Sequence, residues 1–474
     1  MDKLNIKSAQ PAILIIFGIS GDLARRKVLP AIYHLLKDGL LPKDTRIIGT
    51  SRQITSIDKL ISDLEICVLE QSKVCDLPTL KKFKSIFEVI QFDPNQTKSY
   101  LDLKETLKSY EEQHKKCYNH LFYLSIPPDV VTPIIKRLGL SGLNKGCSHN
   151  EGESRLLIEK PFGYDSASAK KLIQDISKFF KEEQLYRIDH YLAKETAQNI
   201  ITFRKQNPLF KALWNNHSIS KIRVRALEQI GIEGRINFYE RTGALRDLIQ
   251  SHLLQLLAIT TMELPVDIDD ATQIHKQKLA LLKQIKSLSP KEIPNAITAG
   301  QYQGYIKEVG NPNTKTETYL KVNLTIDNNR WNKVPMILET GKALNHKTTD
   351  IILDFYDPQL SSTNQLTFRI QPNEGIDIKL FVKKPGLKNE LSAALMDFSY
   401  KTTFNSDPGH PDAYERVLTD AFKGDSTLFS TSLEVLESWR ISQPILDYWE
   451  KRDKQLIIYR KGSKVPLDKI RGIN

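Results

Sequence analysis

The chain has 474 residues, of which 40% are hydrophobic and 26% charged, with a mean hydropathy of -0.36. This composition predicts a folded protein of two or three domains, since a domain averages about 150 residues, and it excludes a wholly disordered chain. Lys and Arg outnumber Asp and Glu by 68 to 56, but they are spread along the chain among acidic residues, which does not favour nucleic acid and is compatible with phosphate-bearing ligands.

Other features narrow the class of protein further. The sequence lacks a run of about 18 apolar residues, so we predict no membrane-spanning segment and no membrane partner. The four cysteines, Cys67, Cys75, Cys117 and Cys147, are few and irregularly spaced, so we expect free thiols in a reducing compartment and no metal site. The short apolar run near the start lacks a signal-peptide cleavage motif, and we interpret it as a buried strand of a cytoplasmic protein.

In chain order, the first third of the sequence alternates apolar runs with helical patterns. Strands are predicted at residues 12–18, 46–50, 121–126 and 156–159, and a helix with a proline-marked kink at residues 22–37. Continuous apolar strands separated by helices are typical of a parallel sheet that is covered on both faces.

The pattern changes after residue 200. Residues 219–232 alternate as in a half-exposed strand, and residues 243–262 predict one long helix. Six β-rich runs follow between residues 300 and 384: YIKEV, TYLKVNLTI, VPMILET, DIILDFY, QLTFRIQP and IDIKLFV. They predict a large antiparallel-rich sheet, and helical patterning returns after Pro411. The fold class is therefore α/β followed by α+β, with domains at residues 1–190 and 191–474.

A glycine-containing turn, GISGDL at residues 18–23, joins the first strand to the first helix. Glycines let the backbone approach a pyrophosphate, and the N–H groups of a helix start stabilise its charge. The pattern is not GxGxxG, so a plain strand-to-helix turn is an alternative. Ser51 and Arg52 end the second strand, where NAD-preferring sites carry a carboxylate, so this pair favours the 2′-phosphate of NADP over an exposed surface arginine.

Two further segments carry candidate chemistry. In RIDHYLAKE, residues 187–195, a helix would place His190 and Lys194 on one face with Tyr191 beside them, which suits a phosphate monoester; an exposed, charged helix start is the alternative. On the long helix, His252 shares a stripe with leucines, so it is either a core histidine or a general base. Lys160 ends a buried strand before Pro161, where parallel strands border ligand crevices.

Taken together, these segments resemble the glucose-6-phosphate dehydrogenase family. The matching segments follow the family's order along nearly the whole chain: FGISGDLARRKVLPAIY, the strand-end SR, IEKPFG, RIDHYLAKE, GALRDLIQSHLLQ, VPMILETGKALNHK, FRIQPNEGI, and DAYERVLTDAFKGD followed by TLF. The resemblance implies a Rossmann-like NADP-binding domain followed by an α+β domain for substrate binding and dimerisation.

The resemblance also implies the reaction and its residues. Glucose 6-phosphate is oxidised at C1 to the lactone, with hydride passing to NADP+; His252 is the general base and Asp189 orients it. Lys160 lies between sugar and nicotinamide. The remaining implied substrate-binding residues are His190, Tyr191, Lys194, Glu228, Asp247, Lys342 and Lys347. The implied coenzyme-binding residues are Gly18, Ser20, Gly21, Asp22, Leu23, Lys27, Ser51, Arg52 and Lys160.

The implied partners are glucose 6-phosphate, NADP+ and a second copy of the chain, in a homodimer or tetramer through the large sheet. Four positions depart from the family pattern: Ile19 replaces a small residue, Ala193 a glycine and Ser251 an asparagine, and GSKVP at residues 462–466 lacks a Trp-Gly pair. The last departure puts a second, structural coenzyme site in doubt. Alternatives are a preference for another hexose 6-phosphate or NAD+, and a non-catalytic dinucleotide- or RNA-binding protein.

Overall fold

The computed structural model describes residues 10–53, 56–70, 75–147, 152–356, 362–404, 411–451 and 456–464, with the backbone alone for residues 65–70. The chain forms two compact units, each discontinuous in sequence. The first contains Met1–Gly163, Ala167–Ala193 and Pro411–Ser432, and the second contains Tyr164–Ser166, Lys194–His410 and Leu433–Asn474. In the described part of the chain, no helix is long and apolar enough to cross a membrane.

The strands are β1 (Ala12–Phe17), β2 (Arg46–Ser51), β3 (Phe87–Gln91), β4 (Asn119–Leu124), β5 (Ser154–Ile158), β6 (Leu185–Ile188), β7 (Ile219–Leu227), β8 (Ile297–Tyr302), β9 (Tyr319–Leu324), β10 (Met336–Gly341), β11 (Thr348–Phe355), β12 (Asn364–Gln371), β13 (Gly375–Lys383), β14 (Leu391–Ser399), β15 (Phe429–Ser430) and β16 (Ile457–Tyr459).

The helices are α1 (Leu29–Lys37), α2 (Ile57–Glu70), α3 (Leu77–Ile86), α4 (Thr97–His114), α5 (Val131–Leu140), α6 (Ser166–Ser177), α7 (Glu195–Gln206), α8 (Pro208–Lys211), α9 (Ile236–Ala244), α10 (Leu254–Thr261), α11 (Ala271–Gln284), α12 (Ile293–Ala296), α13 (Tyr305–Val309), α14 (Tyr400–Thr403), α15 (Ala413–Lys423) and α16 (Ser432–Lys451). Two π-helical segments, Ala24–Val28 and Leu245–Leu253, lead directly into α1 and α10.

The first unit is built on a seven-stranded sheet in the order β15-β6-β5-β4-β1-β2-β3, in which β15 alone is antiparallel to its neighbour. Alternate residues of β1 contribute to the cores on its two faces: Ala12, Leu14 and Ile16 to one, and Ile13, Ile15 and Phe17 to the other. The predicted parallel sheet covered on both faces is therefore confirmed. The order reverses between β1 and β4, where ligands bind in open parallel sheets.

The second unit is built on a nine-stranded sheet in the order β14-β13-β12-β11-β7-β10-β9-β8-β16. Its pairs are antiparallel except β7 with β10 and β8 with β16. The predicted large, antiparallel-rich sheet is confirmed, as are five of the six β-rich runs.

The exception is YIKEV, which was predicted as a strand and forms α13. Gly304 and Gly310 flank it with φ values of 95° and 67°, so the chain turns sharply on both sides of a single short helix. Burial of Tyr305, whose hydroxyl donates to Glu240, outweighs the β preference of this sequence. The strand β14 escaped prediction because its sequence, LSAALMDFS, does not alternate apolar and polar residues.

The expectation of four free thiols is wrong for two of them. Cys117 and Cys147 form a disulfide, with their Cα atoms 5.6 Å apart. They precede β4 and β5, which are neighbouring parallel strands, so sheet order brings together residues that lie 30 positions apart. Cys75 forms no disulfide with the described residues, and the side chain of Cys67 lies outside them.

The segment Pro411–Ser432 belongs to the first unit, whereas the predicted domains were continuous stretches of sequence. Helix α15 contributes Val417, Leu418 and Phe422 to the first unit's core, and β15 extends the first unit's sheet beside β6. A helical pattern in the sequence does not show which core the helix joins, because its apolar face could pack against either core.

Candidate active site

The turn after β1 has the conformation that only glycine adopts readily. Gly18 has a φ of 77°, and a Cβ at this position would lie 2.5 Å from the carbonyl oxygen of Ser125, which follows β4. Gly21 closes the turn by donating its N–H to Gly18 O at 2.9 Å. Asp22 then begins the helix, so its first N–H groups lie at the point where the strand order reverses. This turn fits a dinucleotide pyrophosphate.

Ile19 lies within the protein and not over the turn. Its side chain is fully buried, and a Cβ on Gly49 of β2 would lie 2.8 Å from Ile19 Cγ1. The absence of a side chain at residue 49 therefore makes room for the larger residue at 19. The bulk of Ile19, which replaces a small residue of the family pattern, is therefore accommodated on the sheet side.

The other predicted coenzyme residues of this unit surround the turn. Ser20, Asp22 and Lys27 are exposed, and Leu23 is half-buried. Arg52 directly follows β2 and is exposed, whereas Ser51 is buried. Since β1 and β2 are parallel neighbours, Arg52 lies at the same sheet edge as the glycine turn, which suits a phosphate on the coenzyme's adenosine ribose.

Lys160 and Asp189 follow β5 and β6, at the same carboxyl edge of the sheet. The peptide bond between Lys160 and Pro161 is cis. Asp189 is 3% exposed, and its Oδ1 accepts the backbone N–H groups of Tyr191 at 3.0 Å and Leu192 at 3.4 Å.

The expectation of a helix across RIDHYLAKE is wrong. Residues 190–193 form turns, and α7 begins at Glu195 with Lys194 as its N-cap residue. The Asp189 carboxylate satisfies backbone N–H groups that a helix would bond internally, so the segment turns instead. His190 and Lys194 thus do not share a helical face; His190 instead stacks on Tyr414, with ring centroids 6.5 Å apart.

A half-buried carboxyl group lies beside Lys160. Glu159 Oε1 accepts a hydrogen bond from the fully buried Tyr123 hydroxyl at 2.6 Å. Burial raises the pKa of Glu159 to about 7, against the opposing effects of Tyr123 and Lys160, and the negative charge of Asp189 raises it further. The motif IEKPFG drew attention to the lysine alone, so sequence reasoning missed this second titratable group.

In the second unit, strand direction brings three predicted residues to one sheet edge. Glu228 follows β7, Lys342 follows the parallel strand β10, and Lys347 precedes β11, which is antiparallel to β7. Glu228 N–H donates to Gly341 O at 2.8 Å, and Lys342 Nζ forms an ion pair with Glu228 Oε2. Lys342 is 4% exposed, whereas Lys347 is exposed.

The predicted long helix carries both Asp247 and His252, but its first part, Leu245–Leu253, is π-helical. The preceding helix breaks at Gly243, whose φ is 60° and where a Cβ would lie 2.6 Å from Glu317 Oε1. Glu317 then accepts the N–H of Leu245 at Oε1 (2.8 Å) and that of Ala244 at its carbonyl (3.1 Å). A carboxylate at a helix start is stabilising, because the positive end of the helix dipole lies there.

The other end of this helix is held by three side chains. Arg204 donates to Ile259 O at 2.9 Å and to Met262 O at 2.6 Å. Trp214 Nε1 donates to Thr260 O, and Trp331 Nε1 donates to Thr261 O. The last carbonyls of a helix lack partners within it, so these contacts fix the helix end in the core.

Tyr239 connects the helix to the sheet edge. It is 2% exposed, and Lys342 Nζ lies 5.3 Å from the centre of its ring. Burial, followed by the negative charge of Asp247, raises the Tyr239 pKa well above its usual value. Glu228, Lys342, Tyr239 and Asp247 therefore form one polar cluster, which offers donors and acceptors suited to sugar hydroxyls. His252, on the same helix as Asp247, is 1% exposed.

Two family models match the chain along most of its length. "Glucose-6-phosphate dehydrogenase, NAD binding domain" matches residues 15–199, and "Glucose-6-phosphate dehydrogenase, C-terminal domain" matches residues 201–472. The chain belongs to the glucose-6-phosphate dehydrogenase family. It is therefore an oxidoreductase, with a binding domain for a nicotinamide dinucleotide.

Individual relatives agree with the glucose-6-phosphate dehydrogenase models. The chain is 37% identical to the glucose-6-phosphate 1-dehydrogenase of Chlamydia muridarum, covering 97% of this chain and 95% of that one. Identity to the Borreliella burgdorferi enzyme is also 37%, covering 96% and 95%. Among solved structures, a glucose-6-phosphate dehydrogenase in complex with its substrate glucose-6-phosphate matches with a TM-score of 0.89, 31% identity and 97% coverage of both chains.

Departures from the glucose-6-phosphate dehydrogenase pattern have local explanations where they are described. Ala193 is 3% exposed and keeps a negative φ, so the position does not require glycine. Of the segment 462–466, Ser463 bridges to Leu344, while Val465 and Pro466 lie outside the described residues. Tyr239 and Glu317 were missed because neither belongs to a motif with a recognisable spacing, although Gly243 between them marks the helix break.

Proposed function

We propose that the protein oxidises glucose 6-phosphate at C1 to 6-phosphogluconolactone with hydride transfer to NADP+, the first step of the oxidative pentose phosphate pathway. Membership of both halves of the chain in the glucose-6-phosphate dehydrogenase family carries the proposal. The polar cluster of Glu228, Tyr239, Asp247 and Lys342 beside the helix of His252 supports a sugar as the substrate.

His252 is the proposed general base. Its imidazole takes the proton of the C1 hydroxyl as hydride leaves C1, so that the C1–oxygen bond becomes a carbonyl. Asp189 is the proposed orienting carboxylate, which stabilises the imidazolium that forms. Two backbone N–H groups already hold the Asp189 carboxylate, so its own orientation is fixed before substrate binds.

The proposed phosphate-binding residues are His190, Tyr191 and Lys194. Lys194 Nζ lies 4.0 Å from Glu374 Oε1, and a bound phosphate would compete with that carboxylate for the ammonium group. Glu228, Asp247 and Lys342 are proposed to bind the sugar hydroxyls, with Lys347 at the rim of the same sheet edge. Lys160 is proposed to lie between sugar and nicotinamide.

The coenzyme is proposed to be NADP+, which supplies the hydride acceptor when bound. Gly18, Ser20, Gly21, Asp22, Leu23 and Lys27 would hold it at the glycine turn, with Ser51, Arg52 and Lys160 at the neighbouring strand ends. The left-handed Gly18 and the helix that starts at Asp22 fit a pyrophosphate, and the exposed Arg52 fits a 2′-phosphate.

The direct test mixes the purified full chain with NADP+ and glucose 6-phosphate and follows the ultraviolet absorbance of the reduced nicotinamide. A steady rise that depends on both substrates is expected. The catalytic efficiencies with other hexose 6-phosphates and with NAD+ decide between the proposal and its closest alternatives. A folded protein that gives no rise with any sugar phosphate, over a range of pH, would rule the activity out.

Replacing Arg52 with Ala is expected to raise KM for NADP+ by about 10- to 100-fold, because a charge-assisted hydrogen bond contributes about 1.5–3 kcal/mol. KM for NAD+, which lacks the 2′-phosphate, should change by less than about twofold. Steady-state kinetics with both coenzymes measure the effect. Arg52→Lys is the matched control, since it keeps the charge but loses the planar fork and should fall in between. Equal losses with both coenzymes would contradict the assignment.

We further propose a homodimer, or a tetramer of such dimers, through the large sheet. Strand β14 borders the described sheet and exposes Leu391, Leu395 and Met396, each more than half accessible. An exposed apolar edge strand promotes association, and a two-fold pairing of identical chains would cover it on both copies. The mass in solution, compared with 54.2 kDa for one chain, gives the number of copies.

A further inference from the structure

The helix that carries His252 is wider than an α-helix over Leu245–Leu253. Its hydrogen bonds span five residues, as between Leu254 N–H and Ile249 O. In an α-helix, residues five apart project about 140° away from one another. A π turn contains more residues than an α turn, so Asp247 and His252 project closer to one side of the helix than they would in an α-helix.

The wide segment lies between two fixed points. Glu317 holds its first N–H group at Leu245, and Arg204 holds the carbonyls of Ile259 and Met262 at the far end. Since both anchors are buried side chains from other elements, the helix cannot shift along its axis to take up the extra residue. The extra residue therefore stays between these two anchors.

Ser251 bonds across this wide turn. Its Oγ donates to the carbonyl oxygen of Asp247 at 3.0 Å. The bond thus links the residue directly before His252 to the backbone of Asp247, a proposed ligand of the sugar. Hydroxyl bonds to the carbonyl four residues earlier compete with regular helical bonding and distort a helix locally, which is the effect needed here.

We propose that Ser251 is a positioning residue, whose bond to Asp247 O maintains the π turn in which Asp247 and His252 act on one substrate. The inference rests on the function proposed above and adds a residue to it. Without the hydroxyl, the wide turn shifts to another position between the two anchors, and Asp247 and His252 rotate away from each other. Both binding of the sugar and removal of its proton then suffer.

The test is Ser251→Ala in the full chain, with Ser251→Thr as the variant that keeps the hydroxyl. Ser251→Ala is expected to lower kcat/KM for glucose 6-phosphate by about tenfold, the effect of one lost hydrogen bond, through a lower kcat and a higher KM. The affinity for NADP+, measured by titration without sugar, should be unchanged. Ser251→Thr should retain at least half of the parent kcat/KM.

Thr260→Ala is the matched control, because Thr260 Oγ1 makes the same type of bond, to Leu256 O at 2.7 Å, within the α-helical part of this helix. It is expected to lower the melting temperature without changing kcat/KM. Equal kinetics for Ser251→Ala and Thr260→Ala, or no rescue by Ser251→Thr, would overturn the inference. His252→Asn in the same assay separates the proposed mechanism from the role of Ser251. If His252→Asn retains turnover, the proposed mechanism fails. If His252→Asn abolishes turnover and Ser251→Ala does not lower kcat/KM, only the role of Ser251 fails.

Discussion

His252→Asn is expected to lower kcat by about 10²- to 10⁴-fold, the usual contribution of a positioned general base, while KM for both substrates changes by less than about twofold. Asn has a similar shape and one hydrogen-bonding amide, but it cannot accept the C1 hydroxyl proton. The effect should therefore fall on the chemical step and not on binding. Steady-state kinetics give kcat and KM, and equilibrium titration with glucose 6-phosphate gives the binding constant directly.

His275→Asn provides a control for the loss of a partly buried histidine in the same unit. His275 lies on α11, and its Nδ1 is 2.9 Å from Glu434 Oε1. Its replacement should lower the free energy of unfolding and leave kcat unchanged. If His252→Asn and His275→Asn both retain parent kcat, His252 is a core histidine, which was the alternative that its apolar stripe left open.

The parts of the fold around the candidate site that were predicted correctly depend on neighbours in sequence. Local sequence alone determines the buried strand β1, the left-handed Gly18 and the helix after it. Each can be predicted from a few consecutive residues. The second sheet was likewise predicted because its strands carry their own alternation and β-branched residues.

The parts that were missed depend on partners far along the chain. The π segment, predicted as ordinary helix, begins after the break at Gly243, where Glu317 accepts the N–H of Leu245, and Glu317 is remote in sequence from this helix. The disulfide depends on the order of β4 and β5. The helix predicted at residues 190–193 was wrong for a different reason. Asp189, which accepts the backbone N–H groups there, is part of the motif, but the prediction used the four-residue spacing of His190 and Lys194 and not the preference of aspartate for backbone N–H groups.

Lys278→Met is expected to lower the free energy of unfolding by about 3–5 kcal/mol, because it leaves a buried carboxylate without its charged partner. Lys278 Nζ lies 2.8 Å from Glu434 Oε2 and 3.1 Å from Gln255 Oε1, and both side chains of the ion pair are fully buried. These contacts join α11, α16 and α10, so the loss falls on the core of the second unit. Denaturant titration of parent and variant measures the difference.

Two controls separate burial from pairing. Lys384→Met removes the partner of Glu390 from an ion pair whose members are each about half exposed, and it should change stability by less than about 1 kcal/mol. Lys278→Met combined with Glu434→Leu removes both charges and should recover most of the loss, since apolar side chains can replace a buried pair. A large loss in the exposed pair, or none in the buried one, would contradict this argument.

The dependence of the unfolding free energy on pH tests the ion pair of Lys278 and Glu434 independently. In the parent, Lys278 and His275 outweigh burial and hold the pKa of Glu434 below its usual value. The folded parent therefore gains stability from this carboxylate above the unfolded pKa of about 4.3 and loses it as pH falls through the folded value. In Lys278→Met, burial dominates and raises the pKa of Glu434, so the variant loses stability as pH rises through the unfolded value. The difference in unfolding free energy between parent and variant should shrink on acidification, and a constant difference would show that lost packing, not the unpaired charge, causes the destabilisation.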